Sequence, residues 1–539
     1  VEPDSSTLET IIPVTDRQEI LVAALQAPGI CGGPEERVSV LETHISWVIL
    51  SGEYAWKIKK AVNFGFLDFS TLELRRHFCE EELRLNRRFA TDLYLEVVPI
   101  TGTPERPSLL EAGTAIEYAV KMRRFPQEGL LSTIAARRRL ESAHVDEIAG
   151  LVAGMHAGIA VAGAESVYGM PEDIRHWVDE NFVQIRPRLQ APAQRQHLDR
   201  MEAWCASEYR LRHHDMLRRR VHGFVRECHG DLHLGNLAQI DGRIVPFDCI
   251  EFNPKLRWID VMSEAAFVVM DLQERGYPGL AHRFLNAYLQ HTGDYTGIRL
   301  LRYYLVYRAL VRAKVAVLRI VQMTSTLDEK NTWHEYSAYM QLAVRCAEAR
   351  QPALIITHGL SGSGKSWCAA RLVEALGAVQ VRSDIERKRL HDYGPIADSG
   401  SGIRSGIYTA AASVRTYARL AELTRDVISG GYPVIVDAAF LRFSERERFR
   451  GLADTLAVPF VILHCETDND TLRRRIRERG DAGRDPSEAD IDVLESQYDS
   501  HEPLRAVERD RVIQVDTGGE IQVEELAKRL SAMTGPGAG

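Results

Sequence analysis

The segment PALIITHGLSGSGKSWCAARLVEAL (352–376) leaves a chain little choice of fold. An apolar run suited to a buried strand leads into a glycine-rich turn, and helix formers follow at once. Gly359 to Ser366 satisfies G-x-x-x-x-G-K-S in this strand–turn–helix setting. Gly359, Gly362 and Gly364 let backbone N–H groups turn inward around phosphate oxygens, and Ser361 and Ser363 lie in the same cradle. The N-terminus of the following helix adds its dipole. Lys365 is placed to reach the β- and γ-phosphates of a nucleotide, and the Ser366 hydroxyl to ligate Mg²⁺.

The sequence beyond this loop repeats the pattern. VQVRSD (379–384), GYPVIVDAAF (431–440) and VPFVILHCE (458–466) read as buried strands, each followed by helical sequence. That alternation predicts an α/β domain with a parallel sheet over 351–539. Ligands bind at the carboxyl ends of such strands. Asp384, beside Arg382, Arg387 and Arg389, is therefore a candidate to hold and deprotonate an acceptor hydroxyl, the alternative being a helix N-cap among charges on a solvated face. Asp437 ends its strand where an outer Mg²⁺ or water contact would fall. Arg475 and Arg479, at i and i+4 of one helix, could close over a transferring phosphoryl group, or simply belong to an exposed face laced with Glu and Arg. With these residues in view, the C-terminal half resembles small P-loop kinases of the gluconate kinase, zeta-toxin and polynucleotide kinase type. The resemblance implies phosphate cradle, acceptor acid, Mg²⁺-side acid and lid for the loop, Asp384, Asp437 and the Arg-rich segment.

A second phosphate-handling signal lies far upstream, in CHGDLHLGNL (228–237). Phosphoryl transfer needs a base beside the acceptor, metal beside the phosphates and a cation on the nucleotide. Asp231 can take a hydroxyl proton, and the intervening loop brings Asn236 round to a metal. VPFDCIEF (245–252) follows on a hairpin whose turn is Asp241-Gly242, so Asp248 would emerge beside that metal. YAWKIKK supplies Lys57 on a strand, and the helix after it supplies Glu82 as its partner. Lys59 or Lys60 could stand in for the lysine, and Glu80 or Glu81 for the acid. Met122, on the strand-like AIEYAVKMRRF, is a candidate nucleotide contact. His233 reads as a hydrogen-bonded structural histidine. This order of groups resembles the aminoglycoside phosphotransferase and choline kinase family, whose catalytic loop H-G-D-x-x-x-x-N is matched by His229, Gly230, Asp231 and Asn236, with Asp248 as the metal acid that follows. Two departures stand out. No G-x-G-x-x-G precedes Lys57, and Cys249 follows Asp248 where the family has Gly.

The surrounding sequence predicts an N-terminal α+β, protein-kinase-like bilobal fold. Residues 38–60 read as two antiparallel strands turning at Ser51-Gly52, and 70–90 as a helix capped by Ser70. A small lobe then spans about 1–125 and a helical lobe about 126–350, broken only by the β-rich patch at 237–252. The whole resembles two-part bacterial proteins in which an aminoglycoside phosphotransferase-like domain (1–350) is fused to a P-loop kinase (351–539).

Composition narrows the partners. Against 75 Asp and Glu stand 67 Lys and Arg, a net charge of −8. That balance argues against a nucleic-acid coat and suits small hydroxylated acceptors. The eight cysteines contain no Cys-x-x-Cys pair and read as reduced thiols. No apolar run approaches the ~18 residues of a membrane span, and the start VEPDSSTLET is acidic, so no membrane partner and a cytoplasmic location are expected. The tail TGPGAG reads as frayed. The expected activity is ATP- and Mg²⁺-dependent transfer of a phosphoryl group to an alcohol, at two sites in one chain. The alternative makes the N-terminal part a nucleotide-binding regulatory module and the C-terminal part the sole kinase, with a nucleic-acid 5′-hydroxyl as a further acceptor.

Overall fold

The computed structural model describes residues 14–31, 37–65, 67–320, 326–395, 397–402, 405–482 and 485–535. The VEPDSSTLET start and the last four residues of the TGPGAG tail lie outside them. The chain forms two compact units, residues 1–139 with 226–259, and residues 140–225 with 260–539.

The first unit is built on a six-stranded antiparallel sheet. Its order across the sheet is Ser39–Glu42, Ser46–Ser51, Tyr54–Lys59, Glu117–Arg123, Tyr94–Thr103 and Arg106–Ser108. Side chains alternate along each strand, so facing pairs share a face. Trp47 lies opposite Ile58 and Ile49 opposite Trp56, and all four pack with Leu21, Val22 and Leu25 of the helix Val14–Leu25. Each such apolar side chain is worth about 1.5–3 kcal/mol when buried, which pins the register. The other face carries Tyr94 and Val120 against Cys79 of the helix Leu72–Asn86. Lys57 lies opposite both Val48 and Val120, so it belongs to this second face.

Two local expectations change. Residues 38–60 hold three strands, because the chain also turns at 43–45, where the Thr43 hydroxyl accepts the Ser46 N–H at 3.0 Å. The helix is capped by Thr71, whose Oγ1 accepts the Leu74 N–H at 3.2 Å, while the Ser70 N–H donates to Asp68. The predicted hairpin forms as Leu237–Ile240 and Arg243–Pro246, with Asp241 at φ 48° and Gly242 at φ 78° in its two-residue turn.

The second unit joins a helical body to the α/β domain. Helices run over Ser142–Gly158, Pro171–Ile185, Pro192–Val221, Val261–Glu274, Pro278–Thr292, Ile298–Ile320 and Thr326–Ala347. The Arg219 guanidinium, 2% exposed, holds Asp260 at 2.7 Å and Asp294 at 2.6 Å, tying the helix Pro192–Val221 to the N-cap of Val261–Glu274 and to the turn that follows Pro278–Thr292. No helix among the described residues is long and apolar enough to cross a membrane. The α/β part has the parallel order Val379–Arg382, Val434–Asp437, Leu354–His358, Phe460–Glu466, Val512–Asp516, as the strand–helix alternation predicts. Its core joins Ile355, Ile435, Val461 and Ile513 to Ala369 and Leu372 of the helix Lys365–Leu376. All eight cysteines are free and buried.

Candidate active sites

The first unit gathers a chain of five charges. Glu82 is fully buried, and each of its oxygens takes a different lysine, Lys57 at 2.8 Å and Lys59 at 2.7 Å. Lys57 also meets Asp248 at 2.5 Å, and Lys59 pairs with the buried Glu251. The sequence Glu251–Lys59–Glu82–Lys57–Asp248 thus alternates in sign. Asp248 is its solvent-facing end, with 44% of its side chain exposed. Strand and helix geometry gives the neighbouring lysines and acids different partners. Lys57 and Lys59 share a face, whereas Lys60 pairs with Glu42. Glu80 pairs with Arg76 on the surface, and Glu81 with Arg84. Lys59 and Glu251 were not anticipated as partners. Two lysines at alternate positions of an otherwise apolar strand are the signal for them.

Charge balance decides the ionisation of this chain. Burial works against the Glu82 carboxylate, but Lys57 and Lys59 outweigh it and bring it down to about 2. Burial also opposes the Lys57 ammonium, and Asp248, Glu82 and Glu251 overcome it, raising its pKa well above the ordinary value. Glu251 moves the other way, raised by burial despite Lys59.

The loop from His229 closes beside this chain. Gly230 has φ +90°, and a Cβ there would meet the Leu256 carbonyl at 2.9 Å. His229 bonds through Nε2 to the Phe247 carbonyl at 2.8 Å, while its own carbonyl accepts the Ile250 N–H at 3.0 Å. Asn236 Nδ2 donates to the Asp231 carboxylate at 3.1 Å and to its backbone carbonyl at 3.0 Å. The Asn236 carbonyl accepts the Phe247 N–H, so the amide and Asp248 flank the small hairpin at its open end, just before its first strand and just after its second. Asp248 has φ +66°, a left-handed conformation uncommon outside glycine, held by its N–H on the Tyr94 hydroxyl at 3.0 Å. Next to it, the Cys249 N–H donates to Asn86, one turn beyond Glu82 on the same helix. His233 is hydrogen-bonded as expected, its Nδ1 accepting the Gly235 N–H at 3.0 Å and capping the turn, and its Nε2 lies 3.5 Å from the Asp231 carboxylate. Met122 packs with the cluster around Tyr94 and Val120, on the same face as Lys57.

The second unit builds its site from backbone. Gly359, Gly362 and Gly364 have φ of 141°, 81° and 79°. A Cβ on Gly359 would lie 2.3 Å from the Cys465 carbonyl, and one on Gly362 would lie 2.7 Å from that of Leu472. The loop therefore admits only glycine at these places. Lys365 folds back on the loop, its Nζ donating to the Leu360 carbonyl at 2.7 Å. Burial lowers its pKa, with Asp437 and Asp384 acting against that fall. Asp437 is 4% exposed and accepts from Gln380 Nε2 at 2.9 Å. Burial raises its pKa, opposed by Arg382 and by the Ser366 hydroxyl, which places Ser366 and Asp437 together. Asp384 stands in the first turn of the helix Ser383–Arg389, immediately past its strand. Nearby, Arg387 donates to the Ile407 carbonyl at 3.1 Å and to Ser413 Oγ at 3.3 Å, and among the described residues its buried Nε has no hydrogen-bond partner.

The Arg-rich helix Asn469–Ala482 divides in role. Arg475 reaches the phosphate loop, donating to the Thr517 carbonyl at 2.7 Å and to that of Gly362 at 3.4 Å. Arg479 binds the Ala489 carbonyl at 2.5 Å instead. Arg473 and Arg474 pair with Glu495 and Glu478 on the surface. One loop partner was missed from sequence. Gln497 accepts the Ser361 N–H at 2.8 Å and donates to Ser361 Oγ at 2.9 Å.

The uncharacterized protein Rv2004c of Mycobacterium tuberculosis H37Rv is 29% identical over 452 residues, 84% of this chain and 88% of that protein. Among solved structures, the chain is similar to a choline/ethanolamine kinase family protein from Mesorhizobium loti, with 11% identity, 61% of this chain, 99% of that one and a TM-score of 0.37. It is also similar to a gluconokinase from Sinorhizobium meliloti 1021, with 20% identity, 34% of this chain, 98% of that one and a TM-score of 0.25. Residues 354–504 match the AAA domain family AAA_33, and they carry the P-loop.

Proposed function

We propose that this protein is an ATP- and Mg²⁺-dependent phosphotransferase with two kinase-type sites acting on hydroxyl groups of small molecules, and that its functional division falls near residue 351. The observation that carries the reading is the Lys57–Glu82 pair at 2.8 Å meeting Asp248, with Asp231 and Asn236 on the adjoining loop. In the first site, Lys57 binds nucleotide phosphates and Glu82 orients it. Asp231 accepts the proton of the acceptor hydroxyl. Asn236 and Asp248 offer the hard oxygen donors that suit Mg²⁺.

In the second site, the loop from Gly359 to Ser366 cradles phosphate. Lys365 supplies charge, and Ser366 with Asp437 forms the oxygen set for the metal. Asp384 receives the acceptor, and Arg475 stabilises charge on the transferring group. Arg479, turned to Ala489, takes part only if the lid segment moves. Bound Mg²⁺ would neutralise charge on the phosphates in both sites.

A second reading, in which the first site holds nucleotide without turnover, is favoured by the absence of a G-x-G-x-x-G ahead of Lys57. A nucleic-acid acceptor is less favoured, because Arg473 and Arg474 already carry acid partners.

A screen of hydroxylated metabolites with Mg-ATP, run on the parent chain and on Asp231→Ala and Lys365→Ala, tests the proposal. Each variant should lose a different product, and calorimetry should find two triphosphates per chain. If Asp231→Ala leaves every product unchanged, the regulatory reading replaces it.

A further inference from the structure

The strand Val379–Arg382 is the edge of the parallel sheet, so one row of its backbone groups has no strand partner. The side chain of Asn286 fills that place. Its Nδ2 donates to the Ala378 carbonyl at 3.0 Å, and its Oδ1 accepts the Gln380 N–H at 2.7 Å. Asn286 is 4% exposed and sits on the helix Pro278–Thr292, well ahead of the P-loop in sequence. One turn on, Gln290 Nε2 approaches Gln380 Oε1 at 3.4 Å. Gln380 is itself 4% exposed, and its remaining donor, Nε2, holds Asp437 Oδ2 at 2.9 Å.

These contacts form a line. A helix of the helical body fixes the backbone and the side-chain amide of Gln380, and that amide fixes one oxygen of Asp437. Burying two uncharged amides where apolar residues would fit carries a desolvation penalty unless each bond is made. Here the bonds end on a carboxylate beside the phosphate loop. We propose that Asn286 and Gln290 are positioning residues for the P-loop metal site, acting through Gln380 on Asp437, so that residues preceding 351 complete the geometry of the site that follows. The inference rests on the reading of Asp437 as a metal-side acid. It supplies a physical reason for the two parts to share one chain.

The test uses the full chain with Asp231→Asn and Asp248→Asn, which leaves the P-loop site to be read alone. Binding of a non-hydrolysable ATP analogue is titrated against Mg²⁺, and binding without Mg²⁺ is measured beside it. Asn286→Leu and Gln380→Leu should each raise the half-saturating Mg²⁺ concentration about ten-fold, as expected for one well-made hydrogen bond. Metal-free binding through Lys365 should stay within two-fold, a separation that general loosening of the fold would not give. Asn286→Asp keeps the acceptor for the Gln380 N–H and should recover most of the metal response. Gln290→Leu, at the longer contact, should shift it two- to three-fold and serves if Asn286→Leu does not fold.

The double variant Asn286→Leu/Gln380→Leu should respond no more than either single one. The inference is overturned if Asp437→Asn abolishes the Mg²⁺ response while Asn286→Leu and Gln290→Leu leave it unchanged. If Asp437→Asn itself has no effect, the metal-side reading of Asp437 falls first and this inference with it.

Discussion

On the proposed reading, the two candidate sites hold a polyphosphate with opposite materials. In the first unit the work falls to side-chain charge: five alternating groups from Glu251 to Asp248, four of them buried. In the second it falls to backbone, with three positive-φ glycines, two of them packed where no Cβ fits. A charge chain is sensitive to the loss of any one member, because the partner left behind stays buried. A glycine loop is indifferent to charge and sensitive to volume. The first site should therefore fail by electrostatics and the second by sterics.

The largest effect that could break this contrast is on Lys59. Lys59→Met strips Glu82 of one partner and Glu251 of its lysine, both in the interior. Losing one member of a buried pair costs about 3–5 kcal/mol. Calorimetric unfolding should show the first unit destabilised by that amount. Lys59→Met/Glu251→Gln, which shortens the chain from its inner end, should recover most of the loss. If the double variant is as unstable as the single one, packing around Phe69, not charge, is what Lys59 contributes; its ammonium lies 5.0 Å from that ring.

The steric counterpart comes next. Gly359→Ala puts a methyl group 2.3 Å from the Cys465 carbonyl at φ 141°. Strain and overpacking together should destabilise the second unit by about 3 kcal/mol and remove its nucleotide binding. The first unit's transition should not move. A variant that still binds nucleotide at the P-loop would show that the cradle can relax, and the contrast would lose its steric half.

What the sequence displayed and what it hid follow the same physics. The P-loop and the Asp231–Asn236 spacing are local, so their signals sit within a few residues. The turn at 43–45 was hidden because Thr43 makes it with a hydroxyl, without Gly or Pro to mark it. Separating Lys60 from Lys57 and Lys59 needed strand register, which depends on Trp47 meeting Ile58 and Ile49 meeting Trp56. Glu251 and Asn286 were invisible for a stronger reason. Their partners lie 192 and 94 residues away, and no short-range pattern encodes such a pair.

Acid should separate the units by a smaller margin. Burial holds the His358 imidazole down at about 2, with His464, Arg446, His501 and Lys365 adding to the effect. Below its ordinary 6.5 the unfolded chain takes up a proton that the native unit refuses, so stability falls as pH falls. The limit is about 1.4 kcal/mol per pH unit for this group. Burial lowers His501 and His282 as well, in the same direction. In the first unit, Glu82 at about 2 keeps its full contribution above 4.5 and loses it only as pH falls towards 2. Glu251, raised by burial, is destabilising as pH rises through its native value, so mild acid relieves it. Unfolding between pH 7 and 5 should therefore weaken the second unit first, and His358→Asn should flatten its slope. Equal slopes for both units would remove the acid contrast.

The smallest effect concerns a side chain that occupies a backbone N–H of the phosphate loop. Gln497 Oε1 accepts the Ser361 N–H as a phosphate oxygen would, and its Nε2 holds Ser361 Oγ. A nucleotide claiming that N–H must displace a hydrogen bond worth about 0.5–1.5 kcal/mol net. Gln497→Ala should thus tighten ATP-analogue binding at the P-loop by roughly three- to ten-fold. Gln497→Glu, whose carboxylate accepts the same N–H but repels phosphate, should weaken it. If Gln497→Ala instead weakens binding, the amide is a brace that shapes the loop, and the backbone site relies on side chains more than its glycines suggest.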